Sequence, residues 1–442
     1  MKEWSMRLVV LAAAAAILLS GCGERAKLDV AEGFGPDPKL PPPAKTLFPT
    51  VNIAEATGWP EGRMPKPVQG LTVQPFARGL VHPRWLLALP NGDVLVAETN
   101  KPPPAEKKQG GIKGWIAEKV MDRAGAGVPS ANRITLLRDA DGDGIAELKT
   151  PFLTGLNSPF GMALVGSTLY IANADAVVAV AYAPGATRIA ARPRKIAALP
   201  AGRNHHWTKS LVASPDGSRL YVGVGSNSNV AEKGLGEEIN RAAILEIDPA
   251  TGAVRPFATG LRNPVGMDWN PESKQLWVAV NERDEIGSDL VPDYMTSVRP
   301  GGFYGWPWSY YGQTVDARVK PPRPDMVAKA IKPDYALGPH TASLGLTFSN
   351  GARLGPTLAN GAFIGQHGSW NRKPRSGYKV VFVPFAGGRP SGKPVDILTG
   401  FLSEEEKAMG RPVGVAIAGD GALLVADDVG NAIWRVSAPA PR

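Results

Sequence analysis

A short pattern of polar and apolar positions recurs six times along the chain. Each copy opens on a polar residue or proline, enters a run of small and apolar residues, turns, and returns with apolar side chains on alternate positions. Such alternation marks a strand with one face in a core. The first two copies are His82-Pro83-Arg84-Trp85 with Pro90-Asn91-Gly92-Asp93, and Ser158-Pro159-Phe160-Gly161-Met162. The third runs from Thr208 through Ser214-Pro215-Asp216-Gly217 to Leu220-Tyr221-Val222-Gly223, and the fourth joins Asn263-Pro264-Val265-Gly266-Met267 to Leu276-Trp277-Val278-Ala279. An eroded fifth starts at Leu344-Gly345-Leu346 and continues through Ala362-Phe363-Ile364; the sixth is Arg411-Pro412-Val413-Gly414-Val415 with Gly419-Asp420-Gly421. One such unit cannot bury its faces alone, and closing a set of them into a ring removes the exposed sheet edges. The pattern predicts an all-β fold, a six-bladed β-propeller of four-stranded antiparallel blades over residues 70–437. A β-sandwich with an appendage, or a ring of five or seven blades, are the rival arrangements.

Two stretches interrupt the pattern. In residues 101–132, Ile112, Trp115, Ile116 and Val120 fall close to helical spacing and predict a short helical insertion on the rim. Residues 289–335 are rich in glycine and aromatics; Trp306, Trp308, Tyr310 and Tyr311 suit a sugar ring or a flat cofactor as well as they suit packing. Residues 438–442 form a C-terminal tail.

At the N-terminus, Lys2 and Arg7 precede an apolar run, 8–19, that is too short to span a bilayer and matches the core of a signal peptide. The run ends in Leu19-Ser20-Gly21-Cys22, which resembles a bacterial lipobox. Residues 1–22 are therefore expected to be a lipoprotein signal ending at Cys22, the lipidation site. Gly23 stands where an aspartate would retain the protein in the inner membrane, so the expected location is the periplasmic side of the outer membrane. Residues 23–69, with Pro41-Pro42-Pro43 at their centre, are expected to form an extended tether that lifts the domain off the membrane.

Composition narrows the function. Hydrophobic residues make up 43% and charged residues 20% of the 442, which excludes global disorder. The 51 glycines and 42 prolines follow no collagen period and fit many short strands joined by tight turns. The net charge is +9, but lysine and arginine are scattered with no run of five. That argues against nucleic acid and suits an anionic ligand held in a cleft. The single cysteine is Cys22, so neither an internal disulfide nor a C-x-x-C-H haem site exists.

Five histidines are present. His205 and His206, in Arg203-Asn204-His205-His206-Trp207-Thr208-Lys209, lie just before the third copy, where a ring of blades would turn them toward a central channel. An imidazole there suits general-base work. Here the chain resembles the PQQ-dependent sugar dehydrogenases, both the soluble quinoprotein glucose dehydrogenases and the L-sorbosone dehydrogenase-like branch. The resemblance rests on the third copy, on Gly260-Leu261-Arg262-Asn263-Pro264, on Gly301-Gly302-Phe303-Tyr304-Gly305-Trp306-Pro307, on Gln366-His367-Gly368-Ser369-Trp370-Asn371-Arg372 and on Gly410-Arg411-Pro412. It spans about residues 69–436, and its strength lies in the order of the motifs.

The resemblance implies oxidation of an aldose or a sorbosone-like sugar by hydride transfer to pyrroloquinoline quinone (PQQ). His206, rather than His205, is the implied base. Arg262 and Ca²⁺ are the implied stabilisers of charge on oxygen. Arg262, Asn263, Arg372, Lys373 and Arg411 would bind PQQ, whose three carboxylates need cations. The backbone carbonyls of Glu282 and Arg283 would hold Ca²⁺, although the family's Gly-Pro is replaced there. Gly225-Ser226-Asn227 stands where the soluble glucose dehydrogenases place an aspartate that orients the histidine, so Ser226 or Asn227 would take that role. Electrons would leave to a separate cytochrome or quinone. Asp139, Asp141, Asp143 and Glu147 form a second Ca²⁺ candidate, with oxygen ligands at alternate positions and glycine at the turn; Asx-turns rigidifying a hairpin explain the same pattern. Two rivals to the enzyme are a non-catalytic propeller that binds sugar or protein, and a metal-dependent lactonase-type hydrolase. The second needs carboxylates in the channel, where this chain places histidine and arginine.

Overall fold

A computed structural model of the chain describes residues 24–44, 50–103 and 123–439. Six antiparallel sheets follow one another around an axis, each built from four consecutive strands of the propeller. Blade 1 comprises Pro83–Ala88, Val94–Glu98, Arg133–Arg138 and Leu148–Leu153; blade 2 comprises Met162–Val165, Thr168–Ala172, Ala176–Ala181 and Arg194–Ala198. Blade 3 is Leu211–Ala213, Leu220–Val224, Ala243–Ile247 and Val254–Thr259, and blade 4 is Pro264–Trp269, Leu276–Val280, Pro292–Ser297 and Tyr335–Pro339. Blade 5 is Ser343–Phe348, Gly361–Gln366, Lys379–Ala386 and Val395–Thr399. Blade 6 takes Pro412–Ile417, Leu423–Asp427 and Ala432–Ser437 from the C-terminal end, and its outermost strand, Thr72–Arg78, from the N-terminal side. That shared blade closes the ring and leaves no free edge at the seam.

The glycine inside the repeated motif now has a cause. A β-carbon on Gly161 would lie 2.1 Å from the Leu211 nitrogen of the next blade, one on Gly266 2.4 Å from the Leu346 nitrogen, and one on Gly345 2.2 Å from the Val413 oxygen. Innermost strands of neighbouring blades approach backbone to backbone around the channel, and any side chain there would push them apart. Apolar layers fill the spaces between blades, as where Trp85, Phe160 and Trp207 pack edge to tilted face at 4.7 and 5.7 Å.

The Pro-rich stretch is not a free tether. Phe34–Gly35 pairs with Leu337 and Ala336 on the edge of blade 4, and Lys66–Pro67 pairs with Thr399 and Leu398 on the edge of blade 5. Between them the Trp59 indole donates to Asp427 at 2.7 Å and packs against Trp434 and Phe401. Proline confined the segment to edge positions, and the unpaired outer strands of two blades supplied its partners. The helix expected at 112–121 falls outside the described residues. The aromatic insertion climbs the groove between blades 3 and 4: Gly301 N bonds Phe257 O at 2.7 Å and Trp306 N reaches Gly260 O at 3.0 Å. Trp306, Tyr310 and Tyr311 are buried as packing, so they offer no face to a sugar.

Candidate active site

In an antiparallel blade, the start of the innermost strand and the connection between the second and third strands lie on one face. His82, Ser158, His206, Arg262, His340 and Arg411 all sit just ahead of innermost strands, so the topology gathers them around one mouth of the channel. His82, Ser158 and His340 have φ of 52°, 45° and 56°, a left-handed kink that turns the chain into the blade.

On the side of blades 3 and 4, three segments are stitched by backbone. His206 N donates to Ser226 O at 3.3 Å and Ser226 N donates to Arg262 O at 2.8 Å. His206 Nδ1 lies 2.9 Å from the Ser226 carbonyl and 3.0 Å from its hydroxyl. A carbonyl only accepts, so Nδ1 carries the hydrogen and Nε2 keeps its lone pair. Burial, the Arg262 guanidinium and His205 hold the His206 pKa well below its ordinary value, so the ring is a neutral base. Ser226 thus takes the orienting place, while Asn227 Oδ1 accepts instead from His205 N at 3.1 Å. Behind this loop the buried Lys209 Nζ donates to Asn204 Oδ1 at 3.1 Å and Trp207 O at 3.0 Å, which fixes the turn that presents His206.

Arg262 is buried. Its guanidinium donates to Glu282 O at 2.5 Å, Asn229 Oδ1 at 2.8 Å and Asp284 Oδ2 at 3.1 Å. Asp284 also accepts from Asn371 Nδ2 at 2.7 Å and lies 3.5 Å from His340 Nδ1. Burial alone would raise the Asp284 pKa, but Arg262 and His340 outweigh it and keep the carboxyl ionised. Asn263 Oδ1 is buried and has no hydrogen-bond partner among the described residues. A methyl added to Gly225 would lie 2.4 Å from both Asn263 Oδ1 and His206 Cβ. Gly225→Ala is therefore expected to lower turnover by about a hundredfold, since displacing a reacting group by about 1 Å has that scale of cost. Steady-state kinetics beside an unchanged far-ultraviolet spectrum check it.

On the side of blades 6 and 1, Asp428 is the hub. It accepts from Arg84 Nη1 at 2.7 Å and His367 Nε2 at 2.9 Å, with His82 Nε2 at 3.5 Å. Burial would raise this carboxyl; the two imidazoles and Arg84 outweigh it and hold it ionised. Burial pushes His82 down to about 4. Arg411 Nη2 donates to Ala54 O at 3.2 Å and its guanidinium lies over the Tyr378 ring. The Arg411 guanidinium lies near enough to Arg84 and His367 to act on both electrostatically, and Nε of both Arg84 and Arg411 is buried without a partner among the described residues. A buried, unpaired guanidinium N–H is costly unless an acceptor meets it. The cluster is shaped for an anion, and a carboxylate takes two such donors side by side.

The two clusters form one circuit. Arg84 lies 5.8 Å from the Trp207 ring, next to His206, and the blade 5 loop carries both His367, on Asp428, and Asn371, on Asp284.

Of the expected residues, His206, Arg262, Asn263 and Arg411 come together at the mouth. Arg372 does not join them: its guanidinium donates to Pro374 O at 2.9 Å and Leu28 O at 3.3 Å and pairs with Asp289, so it holds the N-terminal segment. Lys373 lends its carbonyl to Ala26 N at 2.8 Å. Glu282 O already accepts from Arg262, and the Arg283 side chain is enclosed by Glu282, Asp316 and the Pro307 and Ser309 carbonyls. The Asp139, Asp141, Asp143 and Glu147 oxygens lie within 4.8 Å of one another. They accept from the nitrogens of Gly142, Gly144, Asp143, Ile145 and Ala140, which is the Asx-turn arrangement. Sequence reasoning missed Arg84, Asp284, His340, Asn371 and Asp428. Arg84 and His340 stood in the motif itself, beside or ahead of an innermost strand; the others lie in connections that the repeat does not mark.

A six-bladed propeller whose channel mouth carries a neutral, oriented imidazole and two buried guanidinium groups with an unanswered Nε–H each is suited to hold an anionic ligand near a base. The chain belongs to the TrAA12-like family, which it matches over residues 128–299 and 324–439. It is 27% identical over 309 residues to the pyrroloquinoline quinone-dependent pyranose dehydrogenase of Coprinopsis cinerea, covering 53% of this chain and 40% of that one. The chain thus spans about two fifths of that relative's length. An uncharacterized protein of Borreliella burgdorferi is 28% identical over 292 residues, 64% of this chain and 76% of that one. Among solved structures, the holo form of the Coprinopsis cinerea pyranose dehydrogenase PQQ domain superposes with a TM-score of 0.66 at 20% identity, over 87% of this chain and 100% of that chain. A calcium structure of the Trichoderma reesei family AA12 enzyme gives 0.67 at 17%, over 88% and 99%. The apo soluble aldose sugar dehydrogenase of Escherichia coli gives 0.58 at 16%, over 84% and 100%. These likenesses establish the propeller.

Proposed function

We propose that the chain is a PQQ- and Ca²⁺-dependent sugar dehydrogenase, anchored through Cys22 on the periplasmic side of the outer membrane and passing electrons to a separate cytochrome or quinone. The observation that carries it is the pairing, at one mouth, of an imidazole with a bare Nε2 and two guanidinium groups with unanswered N–H donors. PQQ is flat and tricarboxylated; the Coprinopsis relative with which the chain shares 27% identity is named for it. Arg84 and Arg411 would hold its carboxylates, while Asn263 and Arg262 would hold the quinone end beside His206. When bound, the quinone supplies a two-electron acceptor. His206 Nε2 takes the proton of the sugar hydroxyl, Ser226 keeps that ring oriented, and Arg262 favours negative charge on oxygen. Asp284 and Asn371 keep Arg262 in place. In this reading the Glu282 and Arg283 carbonyls would hold Ca²⁺ once Arg262 releases Glu282 O, with Asp284 adding a neighbouring negative charge. The mouth's carboxylates, Asp284 and Asp428, are paired with guanidinium groups rather than left for a hydrolytic metal, which disfavours the lactonase reading.

The test is direct. The purified full chain, given PQQ, Ca²⁺ and an artificial acceptor, should bind the quinone and reduce dye with some member of a panel of aldoses, pyranoses and sorbosone; failure to bind and to reduce across the panel overturns the proposal. The pH profile is a second check. The base must be neutral, and its folded pKa is depressed, so activity should persist as pH falls through about 6.5, the ordinary histidine value, and fail only below it. Arg262→Gln removes a cation that depresses it, so the acid limb of kcat/KM should move up toward that value.

A further inference from the structure

We infer that the channel mouth faces the bilayer, with the apolar rim of that face resting on the lipid surface. The inference rests on the anchoring at Cys22 proposed above and goes beyond it by fixing which way the propeller points.

The first observation is where the chain is held. Glu24 is docked on the mouth side: its carboxylate accepts from Ser288 N at 2.7 Å, and its carbonyl accepts from Ser288 Oγ at 3.0 Å and Thr50 Oγ1 at 2.9 Å. Ala26 N donates to Lys373 O at 2.8 Å, and the backbone of Lys27 and Leu28 donates to Asp289. Ser288, Asp289 and Lys373 lie in connections between second and third strands, on the face where His206 and Arg262 open. Only Gly23 separates Cys22 from Glu24, and two residues of chain reach at most about 7 Å. An acylated Cys22 therefore keeps this face close to the membrane.

The second observation is independent of the cysteine. Among the described residues, six large hydrophobics with substantial exposure stand on mouth-side segments: Val51, Val81, Val128, Leu235, Ile239 and Trp370, with Ile239 70% and Trp370 41% exposed. Val51 is carried beside Trp370 by the bond from Asn52 N to Trp370 O at 2.7 Å. On the opposite face, the hairpins among the described residues expose three: Ile145, Val254 and Val395, at 45%, 39% and 42%. A tryptophan and aliphatic side chains ringing one end suit the interface between water and lipid. A soluble partner protein would answer the apolar rim but not the position of Glu24.

Because Cys22 is the only cysteine, a second one can be labelled alone once Cys22 carries lipid. Full-chain Ile239→Cys and Ile145→Cys, both at exposed positions, are produced as lipoproteins and labelled with a nitroxide. Each is then placed in vesicles of phosphatidylethanolamine and phosphatidylglycerol. The ratio of collisions with oxygen to collisions with a water-soluble nickel chelate should rise several-fold at 239 relative to detergent solution and stay level at 145. An equal response at both positions, a larger one at 145, or a mass spectrum showing Cys22 unmodified overturns the inference. Dye-linked sugar oxidation on the same samples in detergent is scored separately. A chain that is inactive but lipid-facing at 239 overturns the dehydrogenase reading and leaves the orientation standing.

Discussion

Replacing His206 with alanine is expected to lower turnover by about 10²–10⁴-fold, the usual worth of a positioned general base, while PQQ still binds. The imidazole meets the protein through Nδ1, at the Ser226 carbonyl and hydroxyl, which leaves the basic lone pair on Nε2. It makes no part of the guanidinium cluster on blades 6 and 1. His206→Asn should behave alike, because its amide can still donate to Ser226 O but offers no basic nitrogen. Ser226→Ala should cost far less, since the backbone carbonyl that sets the tautomer remains. Single-turnover kinetics with the quinone absorbance as a binding readout separate the two steps. If His205→Ala loses activity and His206→Ala keeps it, the base is misassigned.

Arg411→Ala should act in the opposite way, weakening PQQ while leaving turnover at saturating cofactor much less changed. Removing one partner of a buried charge pair costs about 2–5 kcal/mol, which corresponds to roughly a 30- to several-thousand-fold rise in Kd. The guanidinium lies over Tyr378 and has an unanswered Nε. Its loss leaves Arg84, already bonded to Asp428, to meet the carboxylates alone. Arg372→Ala supplies the contrast. The Arg372 Nε is also buried without a partner among the described residues, but the Nη groups are engaged with Leu28 O, Pro374 O and Asp289, so removal of this side chain should loosen the N-terminal segment and leave cofactor affinity unchanged. Titration of PQQ by fluorescence quenching checks the affinities, and proteolysis near Glu24 checks the second effect. Equal losses of affinity in both variants would show that Arg372, not the packing seen around it, addresses the cofactor.

The contrast between Arg411 and Arg372 shows where sequence reasoning stops. Arg411 stands ahead of an innermost strand and Arg372 behind a second strand, so both fall on the mouth face, and nothing in the local pattern shows which of them is diverted. What separates them is the segment around Leu28, which arrives from more than three hundred residues away. Asp284 and Asp428 escaped notice for a related reason. Each is a single carboxylate in a connecting loop, and its importance comes from the cations that other blades bring to it. His340 was legible in principle, since it precedes the fifth blade as His82 precedes the first, but erosion of that repeat hid the equivalence.

Periodicity settled what depends on neighbours in sequence. Alternating apolar positions, glycines where backbones must touch and turn residues at regular intervals determined six blades, and with them the face on which His206, Arg262 and Arg411 appear. Tertiary structure decided what depends on distant partners: the tautomer of His206, set by a carbonyl in the next loop; the diversion of Arg372; and the docking of the proline-rich stretch along blades 4 and 5. The difference is physical. A strand pattern is imposed residue by residue by the core it must face, whereas the state of a charged or titratable side chain is set by whichever groups the closed ring brings within hydrogen-bonding reach.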